Sequence, residues 1–175
     1  MSLSSTGKEK PMFTHALIQG LIATALALFL ATRYSWNVTA QTVSTLLRLT
    51  GIDVSYVEDL LTMYVKLPEG ISIGFKVLIE CSGLVTISVF AFISVFTVGL
   101  LRGSALVKIA WLLLSIGVGL TWNISRLILV VAVAYNFGFS AFRVVHYFLA
   151  PFIDFLWIVS MWAVGMSWLR RGEEL

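Results

Sequence analysis

The chain is poor in charge, cysteine, proline and histidine. Of its 175 residues 12% are charged, and it holds one cysteine, three prolines and two histidines. A soluble domain carries about twice that share of charge. A small fold with so few charged groups cannot cover itself with polar surface, which excludes a soluble enzyme, a disordered tail and a fibre. A single cysteine, Cys81, excludes an internal disulfide, a CxxC redox pair and a cysteine-rich zinc site. There is no metal-ligand cluster, phosphate loop or nucleic-acid motif, so no metal, cofactor or nucleic-acid partner is expected. What the chain has instead is apolar: 59% hydrophobic residues and a mean hydropathy of +0.95. That composition predicts one integral membrane domain over residues 1–175, and the net charge of +3 then reads as topology.

The expected fold is a membrane all-α helical bundle of about four transmembrane helices, with a small extracytoplasmic α/β-hairpin insertion. Lys8 and Lys10 precede an apolar run over 13–31. A signal peptide has the same shape, but no small-x-small site closes the run and Arg33-Tyr34 follows it, so an uncleaved first span is expected. Further spans are expected over 83–101, 109–135 and 147–169. The stretch 109–139 decides the topology, because Asn123 and Arg126 interrupt it. Two short spans would put Arg102 and Lys108 on the opposite face from Arg170 and Arg171. One long helix, with Gly117 or Gly119 as a place to kink, puts them all on the cytoplasmic side with both termini. The insertion, residues 32–80, then lies outside. It reads as an amphipathic helix over 38–49, ending at Gly51, and two strands with period-two alternation on either side of Pro68-Glu69-Gly70. The second strand is expected to run straight into Cys81.

Three residues carry chemical interest, each with neighbours that bear on it. Cys81 at a helix N-terminus, with Ser82 as N-cap, would have its thiolate favoured by the helix dipole. A lone cysteine in an apolar chain is also ordinary packing. Arg126 lies inside an apolar helix, where an arginine is costly and is usually functional or paired. Asn123, three residues earlier, shares its face. Arg126 is either a clamp beside a reacting carbonyl or half of a structural pair with Asp154. His146, just before the last span, is a base at neutral pH or an interfacial histidine. Cys81, Arg126 and His146 come from three elements and converge near one face under the four-span topology. A thiol, a proton acceptor and a fixed cation are what acyl transfer through a thioester requires.

The ordered set Cys81-Ser82-Gly83-Leu84, Asn123-x-x-Arg126 and His146 resembles the exosortase/archaeosortase membrane transpeptidases. The resemblance covers roughly residues 50–170. It implies a membrane-embedded cysteine protease/transpeptidase in the cytoplasmic membrane of a prokaryote, with its site on the extracytoplasmic side. By the same resemblance Cys81 is the nucleophile, Arg126 and His146 are its partners, and Ser82, Gly83, Asn123 and Arg143 support the site. Arg143 enters because an arginine fills the last role in some archaeal members. The implied partners are exported proteins ending in a sorting signal of motif, apolar helix and basic tail, with a lipid, an amine or water as acceptor. The competing reading is a non-enzymatic membrane scaffold with a structural Arg126–Asp154 pair and an inert Cys81.

Overall fold

The structure, a computed structural model, describes residues 9–101 and 104–171. Lys8 and Arg102, assigned above to the cytoplasmic face, lie outside the described residues, as do the side chains of Lys10, Glu80 and Arg171. The chain is mostly helical, with one small antiparallel sheet.

Helix α1 (Glu9–Leu30) is followed after two residues by α2 (Arg33–Leu49). Thr32 makes the break as an N-cap, its hydroxyl accepting from the Ser35 N–H at 3.3 Å. This cap starts α2 five residues earlier than the amphipathic pattern in 38–49 implied. Helix α2 buries Ala40, Val43 and Leu47, one face at helical spacing, against the sheet.

The sheet has three strands rather than the expected two: β1 (Val54–Val57), β2 (Thr62–Lys66) and β3 (Ser72–Lys76), in that order. Strand β1 has only four residues, too few for alternation to register in the sequence. In β2, Met63 and Val65 are buried while Tyr64 and Lys66 are exposed, as period two requires. Asn37 on α2 ties the insertion together: it accepts from the Tyr56 hydroxyl at 2.6 Å and donates to Glu58 at 2.6 Å. Burial and the Glu58 carboxylate push the Tyr56 phenol above its ordinary pKa, against the opposing pull of Arg33, so Tyr56 stays a donor.

Strand β3 stops at Lys76 and does not run into Cys81. A 3-10 turn over Ile79–Ser82 intervenes, and the Cys81 N–H donates to the Leu78 carbonyl. Helix α3 (Leu84–Thr97) has 14 residues, about 21 Å at 1.5 Å per residue, shorter than the expected 83–101. In the turn after it, Lys108 reaches back from the next helix and donates to the carbonyls of Gly99 and Leu101. Lys108 is 1% exposed, so it is a buried helix-end cap and not the solvated flanking charge expected above.

Helix α4 (Ala105–Val144) runs unbroken past Asn123 and Arg126, so one long helix replaces the alternative of two short spans. Its single break is at Gly138, not at Gly117 or Gly119. Gly138 has φ 78° and ψ −178°, a region open essentially to glycine alone. Beyond it the chain continues helically, through a π turn over Val145–Leu149, into α5 (Ala150–Arg171). The expected span over 147–169 is therefore the lower part of one arm that runs helically from Gly138 to Arg171. The two arms are antiparallel. Contacts Trp111–Trp168, Gly119–Trp157 and Arg126–Asp154 straddle Gly138 almost symmetrically.

Two buried clusters result. One joins α2, the sheet and α4 through Val43, Met63, Val65 and Leu127. The other joins α1, α3 and α4 through Ala23, Phe90 and Leu112, with α5 packed against it. Many large apolar side chains point outward, among them Phe96 (70% exposed) and Leu106 (76%). Among the described residues two segments are long and apolar enough to cross a membrane, Phe13–Leu30 and the continuous Ala105–Arg170, and only 17% of each apolar window is buried within the protein. Helices of a soluble core would be covered; these face outward, as in lipid.

Candidate active site

Cys81 is half-buried in the 3-10 turn, three residues before α3. It is not in the first turn of the helix, because Gly83 rather than Ser82 occupies the N-cap. Ser82 is fully buried and locks the turn: its hydroxyl donates to the Ile79 carbonyl at 2.7 Å and accepts from the Leu84 N–H at 3.4 Å. Gly83 has φ 78°, and a Cβ there would lie 3.0 Å from Asn123 Cγ. The Ser-Gly pair thus fixes the peptide that presents Cys81 and lets α4 approach it.

Asn123 is the link. Its Nδ2 donates to the Cys81 carbonyl at 3.0 Å, and its Oδ1 accepts from Arg126 Nη2 at 3.0 Å. Arg126 Nη1 forms an ion pair with Asp154 Oδ2, the two side chains being 14% and 12% exposed. Asp154 also accepts from Thr86 at 3.1 Å and from Trp122 Nε1 at 3.3 Å. Arg126 Nε is buried without a hydrogen-bond partner. The network joins the cysteine turn, α3, α4 and α5. Of its members, Thr86 and Trp122 were not singled out in the sequence. Trp122 lies four residues before Arg126 and so on its face, which is the signal that could have found it.

A cavity of about 450 Å³ opens beside Cys81. Its walls are β3 and the chain after it, Leu127, Val130 and Val131 of α4, and the returning arm with Phe139, Phe142, His146 and Tyr147. Positions 139, 142 and 146 share one helix face. The rings follow that spacing: Phe139 stacks on Phe142, Phe142 stacks on His146 with centroids 5.2 Å apart and planes 8° apart, and Phe75 of β3 meets Phe142 edge-on. Cys81 and His146 therefore face one cavity. Arg126 does not line it but a smaller neighbouring one of about 120 Å³, with Val130 in the wall of both. Arg143 is exposed on the returning arm and lines neither. Among the described residues no group of three or more histidine, cysteine, aspartate or glutamate side chains is placed to hold a metal.

Outward-facing apolar helices and a half-buried thiol beside an aromatic cavity describe a membrane protein with an internal thiol site. The transmembrane exosortase family (Exosortase_EpsH) matches residues 10–163, and the chain belongs to that family. No curated protein and no solved structure matches it. Membership carries the class, a membrane transpeptidase acting in protein sorting, and agrees with the resemblance read from the cysteine, asparagine-arginine and histidine motifs.

Proposed function

We propose that the protein is a membrane cysteine transpeptidase that cleaves C-terminal sorting signals of exported proteins through a Cys81 thioester. The observation that carries this is the pairing of Cys81 and His146 on one cavity while Asn123 ties the Cys81 peptide to Arg126. In the proposed reaction His146 accepts the thiol proton and the Cys81 sulfur attacks the scissile carbonyl. The carbon–nitrogen bond breaks, and His146 returns the proton to the departing amine. The thioester is then resolved by an acceptor nucleophile, lipid, amine or water, which regenerates the thiol. Arg126, held by Asp154, keeps Asn123 and the cysteine turn in place and supplies positive potential near the developing oxyanion.

The proposed topology has four spans: α1, α3, α4 up to Gly138, and the arm returning from Gly138. Both termini are cytoplasmic, and the insertion and Cys81 lie on the outer side of the cytoplasmic membrane. Close packing of α1 on α3, where Gly20 meets Val95, supports α1 as an integral helix. The test is co-expression with a tagged exported protein ending in a motif, an apolar helix and a basic tail. The mature form is expected with the wild type and absent with Cys81→Ala; unchanged processing overturns the proposal. The scaffold reading has one observation in its favour, the engagement of Arg126 by Asp154. It expects Cys81→Ser to change nothing and Arg126→Ala to lower folded yield alone.

A further inference from the structure

The two outer strands of the sheet are treated differently. The Lys66 N–H donates to the Asp53 carbonyl at 3.1 Å, which sets the phase of the β1–β2 pair and turns the backbone groups of Val54 and Tyr56 outward. That edge is covered: α2 packs on it, and Arg48 Nε donates to the Val54 carbonyl at 2.7 Å. On the other side, the Leu67 N–H bonds to the Ile71 carbonyl and the Val77 N–H to the Leu61 carbonyl, each at 2.8 Å. Residues 71, 73, 75 and 77 therefore exchange bonds with β2. Ser72, Gly74 and Lys76 turn their N–H and C=O groups away from the sheet, and no backbone bond from another element reaches them among the described residues. An open edge of this kind is a liability that folds normally cover.

The open edge runs beside the cavity. Six consecutive residues, 73–78, form its wall, and the same cavity ends at Cys81. The wall carries Lys76 and His146 and, among its described residues, no acid. We propose that β3 is a docking rail on which an extended segment of the substrate, neutral or acidic in side chains, adds to the sheet as a fourth strand and is led along the cavity to Cys81. This deepens the proposed function and rests on it. Backbone pairing explains how a site with a mostly apolar wall holds a peptide in one register: the edge supplies directional bonds, and the Phe75–Phe142 wall supplies side-chain fit. It also predicts an extended, not helical, conformation for the segment that is cut.

The test is disulfide mapping in the Cys81→Ala background, which needs no turnover. Single cysteines are placed by Ser72→Cys and Lys76→Cys, with Ser55→Cys on β1 as control, in full-length protein co-expressed with the tagged exported protein. Cysteines are scanned singly through the segment preceding its apolar helix. Cross-linking is expected from positions 72 and 76 with a period of two residues along the substrate and at least fivefold above the Ser55 control. Helical periodicity, uniform yield or yield no higher than the control overturns the rail; a groove filled by lipid gives the last of these. As a second measurement, Lys76→Pro removes one outward N–H without touching the ladder to β2. It should slow processing at least tenfold relative to Lys76→Gln, and equal rates overturn the proposal. If Cys81→Ala leaves processing intact, the enzyme reading fails, while the cross-linking pattern still decides the rail by itself.

Discussion

Among the described residues, Lys108 is buried and Arg126 largely covered, and the two cations are used differently. Lys108 sits at the end of α3 remote from the cysteine, 1% exposed, its ammonium donating to the carbonyls of Gly99 and Leu101. It closes a helix end with carbonyl oxygens, and a compact ammonium with three donors suits that work. Arg126 pairs with a carboxylate, and its planar fork lets a second nitrogen hold Asn123, which holds the Cys81 peptide. The first arrangement ends in the fold; the second passes through the fold to the turn that carries Cys81. A buried charge is thus informative through what its partner touches next.

Several substitutions break or sharpen that contrast. The largest effect is expected from Arg126→Met with Asp154→Leu. Replacing a buried pair by apolar side chains of similar volume is often near neutral for stability. The double variant leaves Thr86, Trp122 and Asn123 short of a partner, so it should melt in detergent below wild type but above Arg126→Ala, while processing falls at least a hundredfold; retained processing would mean that the pair is purely structural. Arg126→Ala alone strands Asp154 and should cost about 3–5 kcal/mol, read as a drop in folded yield and melting temperature. Lys108→Met leaves two helix-end carbonyls without their charged donor and should cost about 1.5–3 kcal/mol. Processing per folded molecule should not change, and a loss there would erase the distinction between the two cations. Asn123→Ala cuts the link between Arg126 and the cysteine turn. It is expected to cost about 1–3 kcal/mol for the groups left unpaired and to slow processing more than it lowers the melting temperature. Trp122→Phe removes one donor to Asp154 and should be the mildest, about 1 kcal/mol, visible in the melting temperature alone.

Much of this arrangement was legible in the sequence because hydropathy and spacing carry it. Asn123 and Arg126 three residues apart announced a shared face, and Asp154 was the natural partner for an arginine in lipid. The alternation around Pro68-Glu69-Gly70 announced β2 and β3. What was not legible depends on contacts between distant residues. Lys108 beside a helix start looks like any flanking topological charge, and only the early end of α3 reveals it as a cap. The four-span reading required the chain to turn back between 135 and 147, but Gly138 sits between Phe137 and Phe139, and nothing local marked it rather than Gly117 or Gly119 as the break. Ser82 looked like an N-cap because serine usually is one. It lost that place to Gly83, where the close approach of Asn123 leaves no room for a Cβ and φ is positive. Strand β1 was missed for its brevity, and with it the fact that one sheet edge is covered and the other open.

The π turn at Val145–Leu149 has one more consequence. The Ala150 N–H bonds to the Val145 carbonyl, five residues back, so the turn holds one residue more than an α turn. His146 and Asp154 are eight residues apart, which in an unbroken α-helix separates them by about 80° around the axis. Absorbing the surplus residue brings them to within about 20° of one line, so a single rod turns both groups toward α4, one to the cavity beside Cys81 and the other to Arg126. The turn works as a phase adjuster. Excising one residue from it would turn the π turn into an α turn and leave the two groups seven residues apart, still within about 20° of one line, so histidine and aspartate would keep their places.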